Sequence, residues 1–297
     1  MDKKYYTSDG LLLLTATIWG FAFVAQRIGM DHIGPFLYSG IRFLLGALFL
    51  VPFFIANRKR RRESLSIPKG WILPCVLAGS VLFCAANLQQ VGLQYTTAGN
   101  AGFITGLYVV LVPVIGFFTG RKSGASIWIG AVLAVTGLYL LSVGERFTVS
   151  TGDLLEFFGA FFWTAHILVI DRYSPKMEAL VLSIGQFTVC GLLSLGVAFV
   201  TEPVEAGPIL GALPAILYGG ILSIGVAYTL QVVAQKNIHP SHASIIMSLE
   251  SVFAVIGGVI VLHEGLGVRS FIGCALMFAG MIVSQSRITR GRRSPSQ

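Results

Sequence analysis

Charge is scarce in this sequence. Only 11% of its 297 residues are Asp, Glu, Lys or Arg, against about 25% in an ordinary soluble domain. Cysteine is scarce too. Cys75, Cys84, Cys190 and Cys274 lie far apart inside apolar segments, with neither metal-ligand spacing nor a disulfide framework, and read as packing residues. No Walker A glycine run is present, which argues against ATP-driven pumping by this chain alone. An HExxH helix, a GxSxG elbow and a TVGYG-type filter are also missing. His239 and His242 flank Pro240 at one short turn, and His263-Glu264 stands at another; both read as turn chemistry rather than metal sites. The expectation is no enzyme, no metal and no cofactor.

Apolar residues make up 55% of the chain, glycine supplies 35 positions, and the mean hydropathy is +0.79. A soluble globule cannot hide that much apolar surface; disorder and a collagen-like rod are equally excluded. Windows of about 20 apolar residues predict ten spans, at 10–29, 35–56, 71–93, 99–119, 125–144, 152–170, 180–201, 209–234, 241–262 and 268–286. Only 57–70 resembles an exposed loop. The early run Leu11–Met30 lacks a signal-cleavage pattern and reads as the first span. With the N-terminus in the cytoplasm, 17 of the 21 basic residues fall on the cytoplasmic side, including Lys3, Lys4, Arg58–Arg62, Lys69, Arg121, Lys122 and the tail Arg287–Arg293. Only Arg27, Arg146 and Arg269 lie opposite, and Arg42 falls within a span. That asymmetry places both termini in the cytoplasm. The net charge of +8 therefore points to anionic lipid headgroups, not nucleic acid.

The chain also repeats itself. Asp9 and Trp19 recur as Asp153 and Trp163, displaced by 144; Arg42-Phe43 aligns with Gln186-Phe187 at the same displacement. Gln90 and Gln94 match Gln231 and Gln235 at 141, and Ile129-Gly130 with Gly137 match Ile272-Gly273 with Gly280 at 143. Five spans per copy is an odd number, so the second copy must enter the membrane from the other side. The expected fold is all-α and polytopic, with ten transmembrane helices in two inverted five-helix repeats, 1–145 and 146–297.

Ionisable and amide groups inside spans are costly unless they face protein or water. Arg42, two turns into span 2, could meet an anionic substrate or a carboxylate, or could cap carbonyls and snorkel. Glu250, near the middle of span 9, could bind a cation, carry a proton, neutralise Arg42 or simply hydrogen-bond helices. Glu156, one turn into span 6, reads as an interfacial carboxylate near the outer surface. Trp163 and His166 extend its stripe, His166 as a packing residue or a proton relay. Asn87, Gln90 and Gln94 recur at helical spacing, as do Tyr228, Gln231 and Gln235; such amides could contact substrate or stitch helices. Tyr108 adds an aromatic wall, and Gln186 occupies the position matched to Arg42. Trp19 and Trp163 fall near mid-span, where they could shape a cavity or pack a crossing. Pro113 is expected to kink span 4. The glycines of spans 5 and 10 are suited to close helix approach, within the chain or in a homodimer.

Taken in order, several segments resemble the EamA-type branch of the drug/metabolite transporter superfamily, over essentially the whole chain. They are Trp19-Gly20, Ile41-Arg42-Phe43-Leu44-Leu45, Gly92-Leu93-Gln94-Tyr95-Thr96-Thr97-Ala98, Gly152-Asp153-Leu154-Leu155, Phe162-Trp163-Thr164-Ala165-His166, Ser248-Leu249-Glu250-Ser251-Val252-Phe253-Ala254 and Phe271-Ile272-Gly273. Ser251 stands where the family often has proline, and Arg121 where a glutamate is common. The resemblance implies secondary transport of small metabolites, amino-acid-like compounds or drugs, frequently export, across the cell membrane. Protons are the candidate coupling ion because Glu250 can titrate. The rival reading is a non-transporting scaffold or receptor of the same fold.

Overall fold

The computed structural model describes residues 3–62, 70–96, 98–120, 123–142, 150–262 and 267–285. Lys69, Arg121, Lys122, Arg146, His263, Glu264 and the basic residues from Arg287 onward lie outside these. Seven helices are long and apolar enough to cross a membrane: Tyr5–Met30, Pro35–Arg61, Ile72–Gly92, Thr151–Lys176, Ala179–Thr201, Leu213–Ala234 and Pro240–Gly257. Ile104–Phe118, Ala125–Leu140 and Val268–Ser284 are apolar but shorter. Together they account for the ten expected spans. Exposed Leu48, Phe53, Val132, Phe199, Val200 and Phe271 give the bundle an apolar exterior that only lipid or another apolar partner would cover.

Several spans differ from their expected windows. Span 1 is one helix, Lys3–Met30, and span 2 runs through Pro35–Arg61, so the basic cluster rides on the helix itself. Span 2 stops at Arg62, whose left-handed φ of 56° turns the chain. Span 3 is Ile72–Gly92, span 5 Ala125–Ser142, span 7 Ala179–Thr201 and span 10 Val268–Gln285. Span 6, Thr151–Tyr173, begins with a capping box in which Ser150 and Asp153 satisfy each other's backbone N–H groups. Span 4 is two helices, Ala98–Gly106 and Tyr108–Phe118. Its break falls at Leu107 rather than at Pro113, which sits inside the second helix. Span 9 is likewise Pro240–Met247 followed by Glu250–Leu262. Span 8 is wound from short helices, Ala206–Gly211 and Leu213–Leu217, then a π-helix, Tyr218–Tyr228, then Thr229–Ala234.

The spans pack with reciprocity. Span 3 lies on span 6 as span 1 lies on span 8; span 1 lies on span 9 as span 4 lies on span 6. Span 2 pairs with span 7, and span 5 with span 10. In the last pair the glycines face each other. A Cβ on Gly130 would come within 2.8 Å of the Gly280 carbonyl oxygen, and one on Gly280 within 2.7 Å of that of Gly130; Gly137 abuts the Gly273 carbonyl in the same way. The small-residue stripes are therefore used inside the chain. At the outset of span 2, the Glu202 carboxylate accepts from the Phe36 and Leu37 N–H groups at 2.9 and 2.7 Å, which ties spans 2 and 7 together and fills two orphan donors.

Candidate functional site

The two broken spans define the centre. At both breaks the backbone tightens into i→i−3 hydrogen bonds: Leu107 N–H to the Ile104 carbonyl and Val110 N–H to that of Leu107, then Leu249 N–H to Ile246 and Ser251 N–H to Ser248. The dihedrals agree closely, φ −59° and ψ −16° at Leu107 against φ −62° and ψ −15° at Ser248. The first residue after each break, Tyr108 in span 4 and Glu250 in span 9, meets the other directly. The Tyr108 hydroxyl donates to Glu250 Oε1 at 3.1 Å, across a separation of 142 residues, close to the displacement of the sequence repeat. Glu250 is the first residue of the second helix of span 9, at the helix end whose dipole favours a carboxylate. Gly20 allows span 1 to approach there: a Cβ on it would lie 2.7 Å from the Glu250 carbonyl oxygen.

These residues line a cavity of about 540 Å³, counting the space at its mouth. Trp19, Ala22, Phe23 and Gln26 come from span 1, Arg42 from span 2, Gln89 from span 3, Thr105 and Tyr108 from span 4, and Trp163 and Ile167 from span 6. Ser223, Tyr228 and Gln231 of span 8 and Met247 and Glu250 of span 9 complete the wall. Tyr228 is the hub of its aromatic side. Its ring centroid lies 4.5 Å from Trp19, 6.3 Å from Trp163 in a stacked pose, and about 6 Å from His166, Phe43 and Phe187. Trp19 Nε1 donates to the Ser223 carbonyl at 3.2 Å, Thr15 to that of Ala227 at 3.1 Å, and the Tyr218 hydroxyl to that of Ile18 at 2.9 Å. Span 1 thus buttresses the π-helical part of span 8, the kind of irregularity that recurs at functional sites.

Charge in the cavity is split. Arg42, 4% exposed, stacks its guanidinium over the Tyr38 and Phe43 rings at 5.1 and 5.4 Å, and its Nε has no hydrogen-bond partner. Among the described residues no carboxylate forms an ion pair with it. Glu250, 8% exposed, has the Tyr108 hydroxyl as its partner. The two ionisable groups line one cavity and, among the described residues, form no ion pair with each other. Among the described residues no cluster of three or more His, Cys, Asp or Glu is arranged to hold a metal.

The structure brings Trp19, Arg42, Tyr108, Trp163, Tyr228, Gln231 and Glu250 together in this wall and leaves four other candidates behind it. Asn87 donates to the Phe83 carbonyl and to Ser194 Oγ, both at 2.9 Å, and stitches span 3 to span 7. Gln90 is buried with neither amide atom partnered. His166 Nε2 lies 2.8 Å from Gln186 Oε1, so these two form a buried pair beside the aromatic hub. Three positions differ from expectation. Glu156 is fully buried instead of interfacial, with Oε2 accepting from Thr105 at 2.8 Å. Gln89 reaches the cavity where Gln90 was expected. His242 is no turn residue: it lies inside span 9, buried between Asp9 at 3.0 Å and Ser284 at 2.8 Å. Gln26, Thr105 and Ser223 also enter the wall without any periodic signal in the sequence.

The cavity runs along the middle of the bundle. Gln26 near the end of span 1, Gln89 near the end of span 3 and Arg42 near the start of span 2 line its part away from the amino-terminal end, while Ile167 of span 6 and Gln231 of span 8 line its part nearer that end. Polar links join the spans at the amino-terminal end, as Glu202 and Asp153 do at the other. Asp9, His242 and Ser284 join spans 1, 9 and 10, and Tyr5 stacks on His242 at 5.7 Å. Asn57 and Arg58 of span 2 reach Glu178 at 2.9 and 3.0 Å. At the neighbouring turn Lys236 donates to the Met177 carbonyl at 2.9 Å; burial lowers its ammonium pKa from the ordinary lysine value, against the opposing pull of Glu178.

Known proteins bear on this arrangement. An uncharacterized transporter of Archaeoglobus fulgidus is 34% identical over 292 residues, covering 96% of this chain and 88% of its own. A protein of Escherichia coli (strain K12) named as a probable amino-acid metabolite efflux pump is 30% identical over 161 residues, 52% of this chain and 50% of its own. A crystal structure only 19% identical in sequence superposes with a TM-score of 0.78 and covers 94% of this chain and 98% of that one, a likeness of fold. The model of the EamA-like transporter family matches twice, at residues 7–143 and 150–285. The chain is a multi-pass membrane protein and belongs to the EamA-like transporter family.

Proposed function

We propose that this protein exports small amphipathic, amino-acid-like metabolites or drugs across the cell membrane by alternating access, coupled to protons through Glu250. The observation that carries this reading is the unneutralised pair of charges in one aromatic cavity. A zwitterion meets that wall at both ends: its carboxylate at the Arg42 guanidinium, which suits bidentate binding, and its ammonium at Glu250. Trp19, Trp163, Tyr108 and Tyr228 accept an apolar side chain between them. A carboxylate that binds either a proton or the substrate ammonium, but not both, exchanges one for the other, which is the physical basis of antiport. The efflux-pump relative supports the substrate class.

Two units, 1–145 and 146–297, placed upside down to each other, supply the moving parts in this reading. With both termini cytoplasmic, as the distribution of basic residues favours, the end that holds the Asp9–His242 link faces the cytoplasm. The test is counterflow of radiolabelled aromatic and aliphatic amino acids in proteoliposomes under an imposed pH gradient. Zwitterion exchange accelerated by the gradient is expected, with Glu250→Gln abolishing the acceleration. No counterflow of any solute would remove the transport reading; an undiminished gradient effect in Glu250→Gln would remove the coupling role.

A further inference from the structure

Glu156 is a fully buried carboxyl group behind the cavity wall. Its Oε2 accepts from the Thr105 hydroxyl at 2.8 Å, and its Oε1 has no partner among the described residues. That second oxygen faces Gly92, where a Cβ would lie 2.9 Å away. The Gly92 carbonyl is already engaged by the Tyr95 and Thr96 N–H groups. One neutral hydrogen bond does not replace the hydration of an anion in a dry site. A metal cation would need several further oxygens that the described neighbours do not present. Asp153, one turn earlier on span 6, acts on Glu156 electrostatically and is itself bonded by Thr96 and Ser150. Of the elements packed against it, span 3 carries no acid or base besides Cys75 and Cys84. Span 4 offers only Tyr108 among its described side chains, and the first helix of span 9 only His242, held by Asp9 and Ser284. Among the described residues no cation is paired with Glu156.

Thr105 itself lines the cavity, as Tyr108 does, three residues before it and on the other side of the Leu107 break. Two hydroxyls flanking the Leu107 break thus each hold a buried carboxyl, Tyr108 that of Glu250 and Thr105 that of Glu156. From this juxtaposition we infer that Glu156 is a second proton-binding site, loaded from the central cavity past the Thr105 hydroxyl. The proton enters at Oε2, the oxygen that the Thr105 hydroxyl meets, rotation of the carboxyl group exchanges the two oxygens, and the proton leaves by the same route, so the chain binds two protons at positions on either side of the Leu107 break. This extends the coupling proposed for Glu250 without depending on it.

Infrared difference spectra of the full-length protein in liposomes, recorded through a pH titration in potassium and then in sodium buffer, test the inference. Two carbonyl bands of protonated carboxyl groups are expected. Glu156→Gln removes one and Glu250→Gln the other; Thr105→Val shifts only the first and Tyr108→Phe only the second. Gln preserves shape at position 156, and Thr105→Val gives an independent reading if that variant folds poorly. A spectrum unchanged by Glu156→Gln, or a Glu156 band displaced by sodium, overturns the site. Loss of the Glu250 band alone from the expected pattern counts against proton coupling at the cavity and leaves the Glu156 site standing.

Discussion

Along the seam of spans 5 and 10, backbone meets backbone, with Gly130 against Gly280 and Gly137 against Gly273. Around the cavity the opposite holds. Arg42 Nε, Trp163 Nε1 and Gln231 Oε1 are buried without partners, although unmade hydrogen bonds in an apolar setting each cost free energy. The seam is complete by itself, whereas the cavity carries polarity that only a visitor, water or solute, can satisfy. If the cavity is where solute binds, substitutions in the two regions should move different measurements.

The largest separation is expected at Arg42. Arg42→Ala should weaken binding of a carboxylate-bearing solute by about 2–5 kcal/mol, roughly 30-fold or more, measured by isothermal titration in detergent. Because no described carboxylate pairs with this guanidinium, the melting temperature should stay level or rise. A marked fall in melting temperature with unchanged affinity would reverse the contrast. Gly137→Leu should do the converse. Its side chain meets the Gly273 backbone and Met277, an overpacking that costs about 1–3 kcal/mol. Thermal unfolding should report that loss, while the surviving folded fraction binds solute with parental affinity. Trp19→Phe is the smallest and sits between the regions. Losing the Nε1 bond to the Ser223 carbonyl removes about 1 kcal/mol, so melting and affinity should both fall slightly; an effect on affinity alone would show that Trp19 serves the cavity and not span 8.

Much of this architecture is legible in the sequence because lipid imposes a simple rule: long apolar windows and sparse charge mark ten spans. Glu250 and the paired Trp19 and Trp163 stand out because a carboxylate or a mid-span indole is rare in such windows. The remaining wall is harder to read. Gln89 and Gln90 differ by one step of helix rotation, and only the packing of span 3 on spans 6 and 7 decides which faces inward. Thr105 and Ser223 are single small polar residues that hydrocarbon tolerates anywhere along a helix. The burial of Glu156 depends on Gly92 and Gly152 letting spans 3 and 6 close over it. The break at Leu107 follows Gly106, a residue too common in these spans to announce it, and Pro113 draws attention to the wrong turn.

Span 8 winds eleven residues, Tyr218–Tyr228, more widely than an α-helix does. A π-helix rises less per residue than an α-helix, so rewinding the same stretch to ordinary pitch would lengthen it and turn the residues at its end about the axis. Tyr228, whose ring meets Trp19 and Trp163, is the last of the eleven, so the coiling of this one stretch sets where the aromatic wall stands.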